Sequence, residues 1–214
     1  MGSEDNKRGD GVSVLLGKRF REALNYGAEL HESQTRKGGS IPYVGHLLIV
    51  AGTVIEWGGD EDQAVAAILH DAIEDQSDKE PRLAIRRRFG ARVEGMVEGL
   101  SDTDVIPKPA WPNRKKQYFA RLENECNDVL LISAADKLHN ARAILSDLIE
   151  LGEAVWTRFS ISDQGATPQL WYLTNLLKIY EQRLPDQATR ELRSVVEELE
   201  RRAKVFLVDL QDPS

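Results

Sequence analysis

Residues 129–148 read VLLISAADKLHNARAILSDL, the most apolar run in this 214-residue sequence, and they predict a buried central helix. Asp136 lies in the middle of this run, and most of its neighbours are apolar. A buried carboxylate is costly unless it is paired with a cation or bound to a metal. Lys137 is adjacent, but neighbouring helical positions point about 100° apart. The pattern therefore favours a metal ion as the partner of Asp136.

Helical periodicity continues on both sides of this run, and the sequence shows no convincing strand pattern, internal repeat or sustained coiled-coil register. We therefore predict an all-α fold. Residues 1–11 are glycine and polar or charged residues, which predict a disordered N-terminal arm. Residues 12–210 are predicted to form one domain. Asp60 is a predicted N-cap for the helix that follows Gly58-Gly59.

The composition narrows the classes of partner. The net charge of -7 argues against sequence-independent nucleic-acid binding, which needs an excess of Lys and Arg, but it allows a small phosphorylated substrate. Cys126 is the single cysteine, so neither an intrachain disulfide nor a multi-cysteine zinc site is expected. Neither a signal peptide nor a membrane-spanning run is apparent. We expect a cytoplasmic protein that does not bind membranes, of undetermined oligomeric state.

A cluster of ionisable groups follows an apolar helix in the segment AILHDAIED, residues 67–75. His70 and Asp71 end this helix, and Glu74 and Asp75 come one turn later at i+4. Three carboxylates so close together repel one another unless a cation offsets their charge. The alternative is a solvated acidic helix end, which the apolar residues before His70 disfavour.

A second histidine, His46, begins the apolar helix PYVGHLLIV, residues 42–50. With His70, Asp71 and Asp136 it would form a set of two imidazoles and two carboxylates drawn from three helices. Such a set suits Mn²⁺, Fe²⁺, Co²⁺ or Zn²⁺ and lacks the thiolates that select zinc strongly. Coordination positions would stay open for water and a phosphoryl oxygen, as hydrolysis requires.

Three strings carry a resemblance to a known family: HESQTRKGGSIPYVGH (31–46), ILHDAIED (68–75) and ADKLHNARAIL (135–145). Their H…HD…D pattern resembles the HD-domain phosphohydrolases, and in particular the RelA/SpoT-type alarmone hydrolases and their small stand-alone forms. The resemblance implies an HD-domain helical bundle. It also implies hydrolysis of the 3′-pyrophosphate of (p)ppGpp-like alarmones, which gives GDP or GTP and pyrophosphate.

The resemblance further implies roles for the metal ligands and the catalytic carboxylates. It assigns Glu74 and Asp75 to positioning or deprotonating the attacking water, which agrees with their place one turn beyond the His-Asp pair. It also assigns the ligands of a Mn²⁺ ion, which are His46, His70, Asp71 and Asp136.

For the substrate, the resemblance assigns Arg36 and Lys37 to holding the nucleotide, and Asn140 to contacting its ribose or base. A guanidinium can stack on a base, and a lysine can contact phosphate. His139 is expected to point to a different face of the helix and to be structural. His31 is expected to be supportive.

Several positions near the substrate depart from the family pattern, among them Gln76 and Ala143, so the base is left open. One alternative is a phosphohydrolase of another nucleotide, such as (p)ppApp, NADPH or a nucleoside monophosphate. Another is a non-enzymatic, metal-stabilised binding module, which the presence of Glu74 and Asp75 disfavours.

Overall fold

The computed structural model describes residues 16–37, 39–75, 80–101, 110–159 and 164–204, and the predicted arm 1–11 lies outside them. The prediction of an all-α fold is confirmed, because these residues form helices and no strand. None of the helices in these ranges has the length and apolar character required of a membrane span. The α-helices are α1 Lys18–Leu30, α2 Val44–Glu56, α3 Glu61–Leu69, α4 Ala72–Asp75, α5 Pro81–Phe89, α6 Ala91–Leu100, α7 Trp111–Leu122, α8 Asn127–Leu151, α9 Thr167–Arg183 and α10 Asp186–Ala203.

The predicted central helix is α8, which packs against α2, α3, α6, α9 and α10. Residues 129–136 of this helix are all buried, and Leu130, Ile132 and Leu138 are fully enclosed. Each such side chain contributes roughly 1.5–3 kcal/mol through removal of its apolar surface from water. α8 ends at Leu151, and the next residue, Gly152, has a φ of 60° that suits glycine. A 3₁₀ helix then covers Gly152–Arg158. The core is therefore built around the helix that carries Asp136.

The turn between α2 and α3 joins the helix that carries His46 to the helix that directly precedes His70. Gly58 has a φ of 86°, and a Cβ on Gly59 would lie 2.9 Å from the backbone oxygen of Val54. Glycine is therefore required at this tight return of the chain. Asp60 then caps α3: its Oδ1 accepts from Gln63 N at 2.9 Å, and its own N donates to Gln63 Oε1 at 2.7 Å. The predicted N-cap is confirmed, as one half of a capping box.

Candidate active site

Side chains from three helices converge on one cluster of ionisable groups. His46 lies in the first turn of α2, His70 follows the last residue of α3, and Asp136 lies in the middle of α8. One nitrogen or oxygen atom from each of these three buried residues lies within 4.8 Å of the others. His46 Nε2 is 3.3 Å from Asp136 Oδ1, and His70 Nε2 is 3.9 Å from the same oxygen.

Asp71 joins this cluster through its Oδ2 atom, which is 2.9 Å from His70 Nε2 and 3.6 Å from His46 Nε2. The hydroxyl of Tyr43 donates a hydrogen bond to the same oxygen. Burial alone would raise the pKa of Asp71, but the neighbouring His70 and His46 hold this pKa well below its usual range. The structure thus brings together all four residues that the sequence singled out as metal ligands.

The hydrogen bonding of His70 tests whether these residues fit a metal ion. Its Nδ1 donates to the carbonyl oxygen of Ala67 at 2.8 Å, so in the neutral ring Nε2 carries the lone pair. Nε2 is buried and has no hydrogen-bond partner of suitable geometry among the described residues, although Asp71 Oδ2 is close. Burial alone would lower the pKa of His70, but the carboxylates of Asp71 and Asp136 raise this pKa to about 9. The site therefore attracts a cation between the imidazole and the carboxylates, and the donor set fits a divalent ion.

His139 contacts the ring of His46 through both a hydrogen bond and ring stacking. The two Nδ1 atoms are 2.6 Å apart, and the rings stack with centroids 4.8 Å apart. The expectation that His139 points away from the site is wrong, because it lies three residues after Asp136 and i,i+3 positions share a helix face. Partial burial, together with nearby His46 and Arg36, lowers the pKa of His139 to about 4. A neutral His139 can accept the Nδ1 hydrogen of His46 and leave His46 Nε2 available as a ligand.

Asp136 has two further partners on its own helix. Lys137 Nζ contacts its Oδ2, and Asn140 Nδ2 donates to its Oδ1 at 2.5 Å. The expectation that Lys137 points elsewhere is therefore wrong, because its long, flexible side chain bends back to reach the carboxylate. Burial alone would raise the pKa of Asp136, but Lys137 and His46 hold this pKa far below its usual range.

The three residues assigned to the substrate lie beside this cluster. Arg36 Nη2 donates to Asn140 Oδ1 at 2.8 Å, so the two residues contact each other, and Asn140 in turn contacts Asp136. The Lys37 ammonium lies 5.6 Å from the ring centroid of Phe159. Arg36, Lys37 and Asn140 all line one cavity.

The two carboxylates assigned to catalysis differ in position. Asp75 lines the cavity, and its Oδ2 accepts from Gln34 Nε2 at 2.7 Å. Gln34 Oε1 is in turn 2.7 Å from Nδ1 of the buried His31. Partial desolvation raises the pKa of Asp75, and the negative charge of Asp71 raises it further. Glu74 is half-buried on α4 and is not among the described residues that line the cavity.

The cavity has a volume of about 870 Å³, which lies in the range of small-molecule sites. Gln34, Tyr43 and Lys115 also line the cavity and were not singled out from the sequence, and Tyr172 contributes to the same wall. Tyr43 could have been found, since it precedes His46 by three residues and shares its helix face. Gln34 lies in the string that carries the family resemblance. Lys115 gave no local signal, because it reaches the cavity through the packing of α7 on α9.

The fold and the H…HD…D cluster define the class of protein: the chain belongs to the HD domain family, whose model matches residues 23–159. Among named relatives, it is 36% identical over 124 residues to the guanosine-3′,5′-bis(diphosphate) 3′-pyrophosphohydrolase MESH1 of Xenopus tropicalis, a match that covers 56% of this chain and 66% of that protein. It is 33% identical over 132 residues to the bifunctional (p)ppGpp synthase/hydrolase SpoT of Escherichia coli K12, which covers 59% of this chain and 18% of SpoT. The chain thus spans just under two thirds of one relative and less than a fifth of the other.

Two solved structures share the fold. A metazoan ortholog of SpoT, described as hydrolysing ppGpp, superposes with a TM-score of 0.67 at 23% identity, and the match covers 91% of this chain and all of that one. The lmo0812 protein of Listeria monocytogenes EGD-e superposes with a TM-score of 0.60 at 24% identity, over 74% of this chain and 99% of that one. These matches support the all-α HD-domain bundle that the sequence predicted.

Proposed function

We propose that this protein hydrolyses the 3′-pyrophosphate of (p)ppGpp-like alarmones to give GDP or GTP and pyrophosphate. The observation that carries the proposal is the cavity, which is lined by Arg36, Lys37 and Asn140 and by His46 of the four-residue cluster, with Asn140 hydrogen-bonded to Asp136 of that cluster. Both named relatives are described as acting on such nucleotides, one as a 3′-pyrophosphohydrolase and one as a synthase/hydrolase.

His46, His70, Asp71 and Asp136 would hold a divalent ion, for which we propose Mn²⁺. Two imidazoles and two carboxylates without a thiolate suit this ion. When bound, such an ion lowers the pKa of water and polarises a phosphoryl oxygen. Tyr43 and His139 would orient Asp71 and His46, since each makes a hydrogen bond to a ligand side chain.

In the proposed reaction, water adds to the phosphorus atom bonded to the ribose 3′ oxygen, and that P–O bond breaks. Pyrophosphate leaves with the oxygen of the water, and the 3′ oxygen takes up a proton. Asp75 is the better placed of the two carboxylates to accept the proton of the water, because it faces the cavity. Its raised pKa makes it a stronger base than an ordinary aspartate, and Gln34 fixes its orientation.

Arg36 and Asn140 would bind the nucleoside, and Lys37 would contact its 5′ phosphates. Arg36 lies 5.8 Å from the ring centroid of Tyr43 and is hydrogen-bonded to Asn140, so its guanidinium plane is held at the cavity wall, where a base can stack on it. The methyl group of Ala143 lines the same cavity and makes no hydrogen bond to a base. Preference for guanine over adenine would therefore depend on Asn140 and Arg36.

The test is incubation of the protein with ppGpp, pppApp and NADPH in the presence of Mn²⁺, with separation of pyrophosphate from orthophosphate. Release of pyrophosphate from ppGpp is expected, and it should be lost in Asp136→Asn. Glu191→Gln, which changes an exposed carboxylate far along the chain, should retain full activity. Absence of turnover of ppGpp, or release of single phosphate groups, would exclude the proposed reaction. Faster turnover of pppApp would assign the enzyme to adenosine alarmones.

A further inference from the structure

A second group of cations lines the cavity, where α7 and α9 meet α8. Lys115 of α7 and Lys137 of α8 both approach the ring of Tyr172 on α9. The ammonium nitrogen of Lys115 is 4.5 Å from the ring centroid, and that of Lys137 is 5.9 Å from it. Two positive charges therefore lie against one aromatic ring inside the cavity.

The two ammonium groups have different surroundings. Lys137 Nζ contacts the carboxylate of Asp136, which is one of the four clustered residues, so much of its charge is neutralised there. Lys115 is half-buried with its Nζ over the ring face of Tyr172. A ring face attracts an ammonium through the negative potential of its π-system. The Tyr172 ring thus holds the Lys115 ammonium at this part of the cavity wall.

The Tyr172 ring is held in place by other aromatic side chains. Phe119 stacks on it with centroids 5.7 Å apart, and Trp111 meets it edge-on at 5.9 Å. Phe119, Trp111 and Lys115 all belong to α7, so the packing of α7 on α9 fixes both the ring and the lysine above it. The cation is therefore positioned before a ligand arrives, which lowers the entropic cost of binding.

We propose that Lys115 binds the distal phosphate of the 3′-pyrophosphate, an inference that rests on the proposed function. The reacting phosphate must lie at the cluster that contains Asp136. Arg36, Lys37 and Asn140 are assigned to the nucleotide, so the distal phosphate needs a different cation. Lys137 touches Asp136 and shares the ring of Tyr172 with Lys115, which makes Lys115 the next cation beyond the cluster on this wall.

The binding test compares inorganic pyrophosphate with orthophosphate by titration calorimetry, at one fixed Mn²⁺ concentration for every variant. Lys115→Met should weaken pyrophosphate binding about tenfold or more, because it removes a hydrogen bond between charged groups. Orthophosphate, which fills only the reacting position, should bind with unchanged affinity. Lys115→Arg should restore pyrophosphate binding. Lys116→Met is the matched control, because the adjacent lysine is exposed and does not line the cavity.

Unchanged pyrophosphate affinity in Lys115→Met would overturn the subsite. An equal loss for both anions would also overturn it, because that result indicates a general electrostatic effect. Lys115→Gln gives the same comparison if the Met variant does not fold. In turnover assays, Lys115→Met should lower kcat/KM for ppGpp. It should leave kcat/KM unchanged for a ppGpp analogue that carries a single phosphate at the 3′ position. If pyrophosphate binding depends on Lys115 but the wild-type protein leaves ppGpp intact, the subsite stands and the proposed function fails.

Discussion

The contact between His46 and His139 predicts how tightly the cluster holds a metal ion. His46 is only 2% exposed, and its Nδ1 lies 2.6 Å from His139 Nδ1. Removal of His139 leaves a buried donor without its acceptor, at a cost of about 1–3 kcal/mol. Loss of a residue that orients a metal ligand typically lowers metal affinity by about 10- to 100-fold, which is the same range of free energy.

The choice of substitution decides where in that range the effect falls. His139 is half-buried and lines the cavity, so water can enter the space that His139→Ala leaves and can replace part of the lost hydrogen bond. We expect about a tenfold loss of Mn²⁺ affinity for this variant. In His139→Leu the side chain excludes water, and the loss should approach about 100-fold.

The assay is calorimetric titration of Mn²⁺ into protein first stripped with a chelator, with circular dichroism as the check on folding. Arg142→Ala is the matched control, because Arg142 lies on the same helix and pairs with Glu191 at the exposed surface. It should bind Mn²⁺ as the wild type does. Wild-type affinity in a folded His139→Leu would refute the reasoning that His139 orients His46.

Three further predictions follow from other parts of the structure. Because the folded-state pKa of His70 is raised to about 9, the metal-free protein should lose stability as the pH rises from about 6.5 to 9, and His70→Gln should flatten that part of a melting-temperature profile. Gln34→Glu replaces the donor to Asp75 with a carboxylate of the same shape, so kcat should fall about tenfold or more while Mn²⁺ affinity is unchanged; wild-type kcat would remove Gln34 from the mechanism. Gly59→Ala should lower the free energy of unfolding by about 1–3 kcal/mol in a urea titration, whereas Gly52→Ala, whose Cβ meets nothing within 4 Å, should be neutral or stabilising.

Features that depend on local pattern could be predicted from the sequence. The periodicity of the apolar residues predicted the all-α fold. The apolar surroundings of Asp136 and His70 indicated that both side chains are buried and need a partner, for which a metal ion was inferred. The capping role of Asp60 also follows from short-range chemistry, since the residue and its partner Gln63 are three positions apart.

Features that depend on side-chain conformation or on contacts between distant helices could not be predicted. Lys137 turns back onto Asp136 by bending a four-carbon chain, and helical angles alone do not describe such a movement. His139 lies on the face of Asp136, but its contact with His46 depends on how α2 packs against α8. Lys115 and Tyr172 are brought together by α7 and α9, which are separate in the sequence.

Arg36, Asn140 and Asp136 form a continuous hydrogen-bonded line from the cavity wall to the cluster of His46, His70, Asp71 and Asp136. A ligand that draws Arg36 away from Asn140 changes the hydrogen bonding of the carboxylate at the far end of this line. Under the proposed function, the nucleotide and the ion would therefore be thermodynamically linked. The factor by which the ion changes the affinity for the nucleotide would equal the factor by which the nucleotide changes the affinity for the ion, because the coupling free energy is reciprocal.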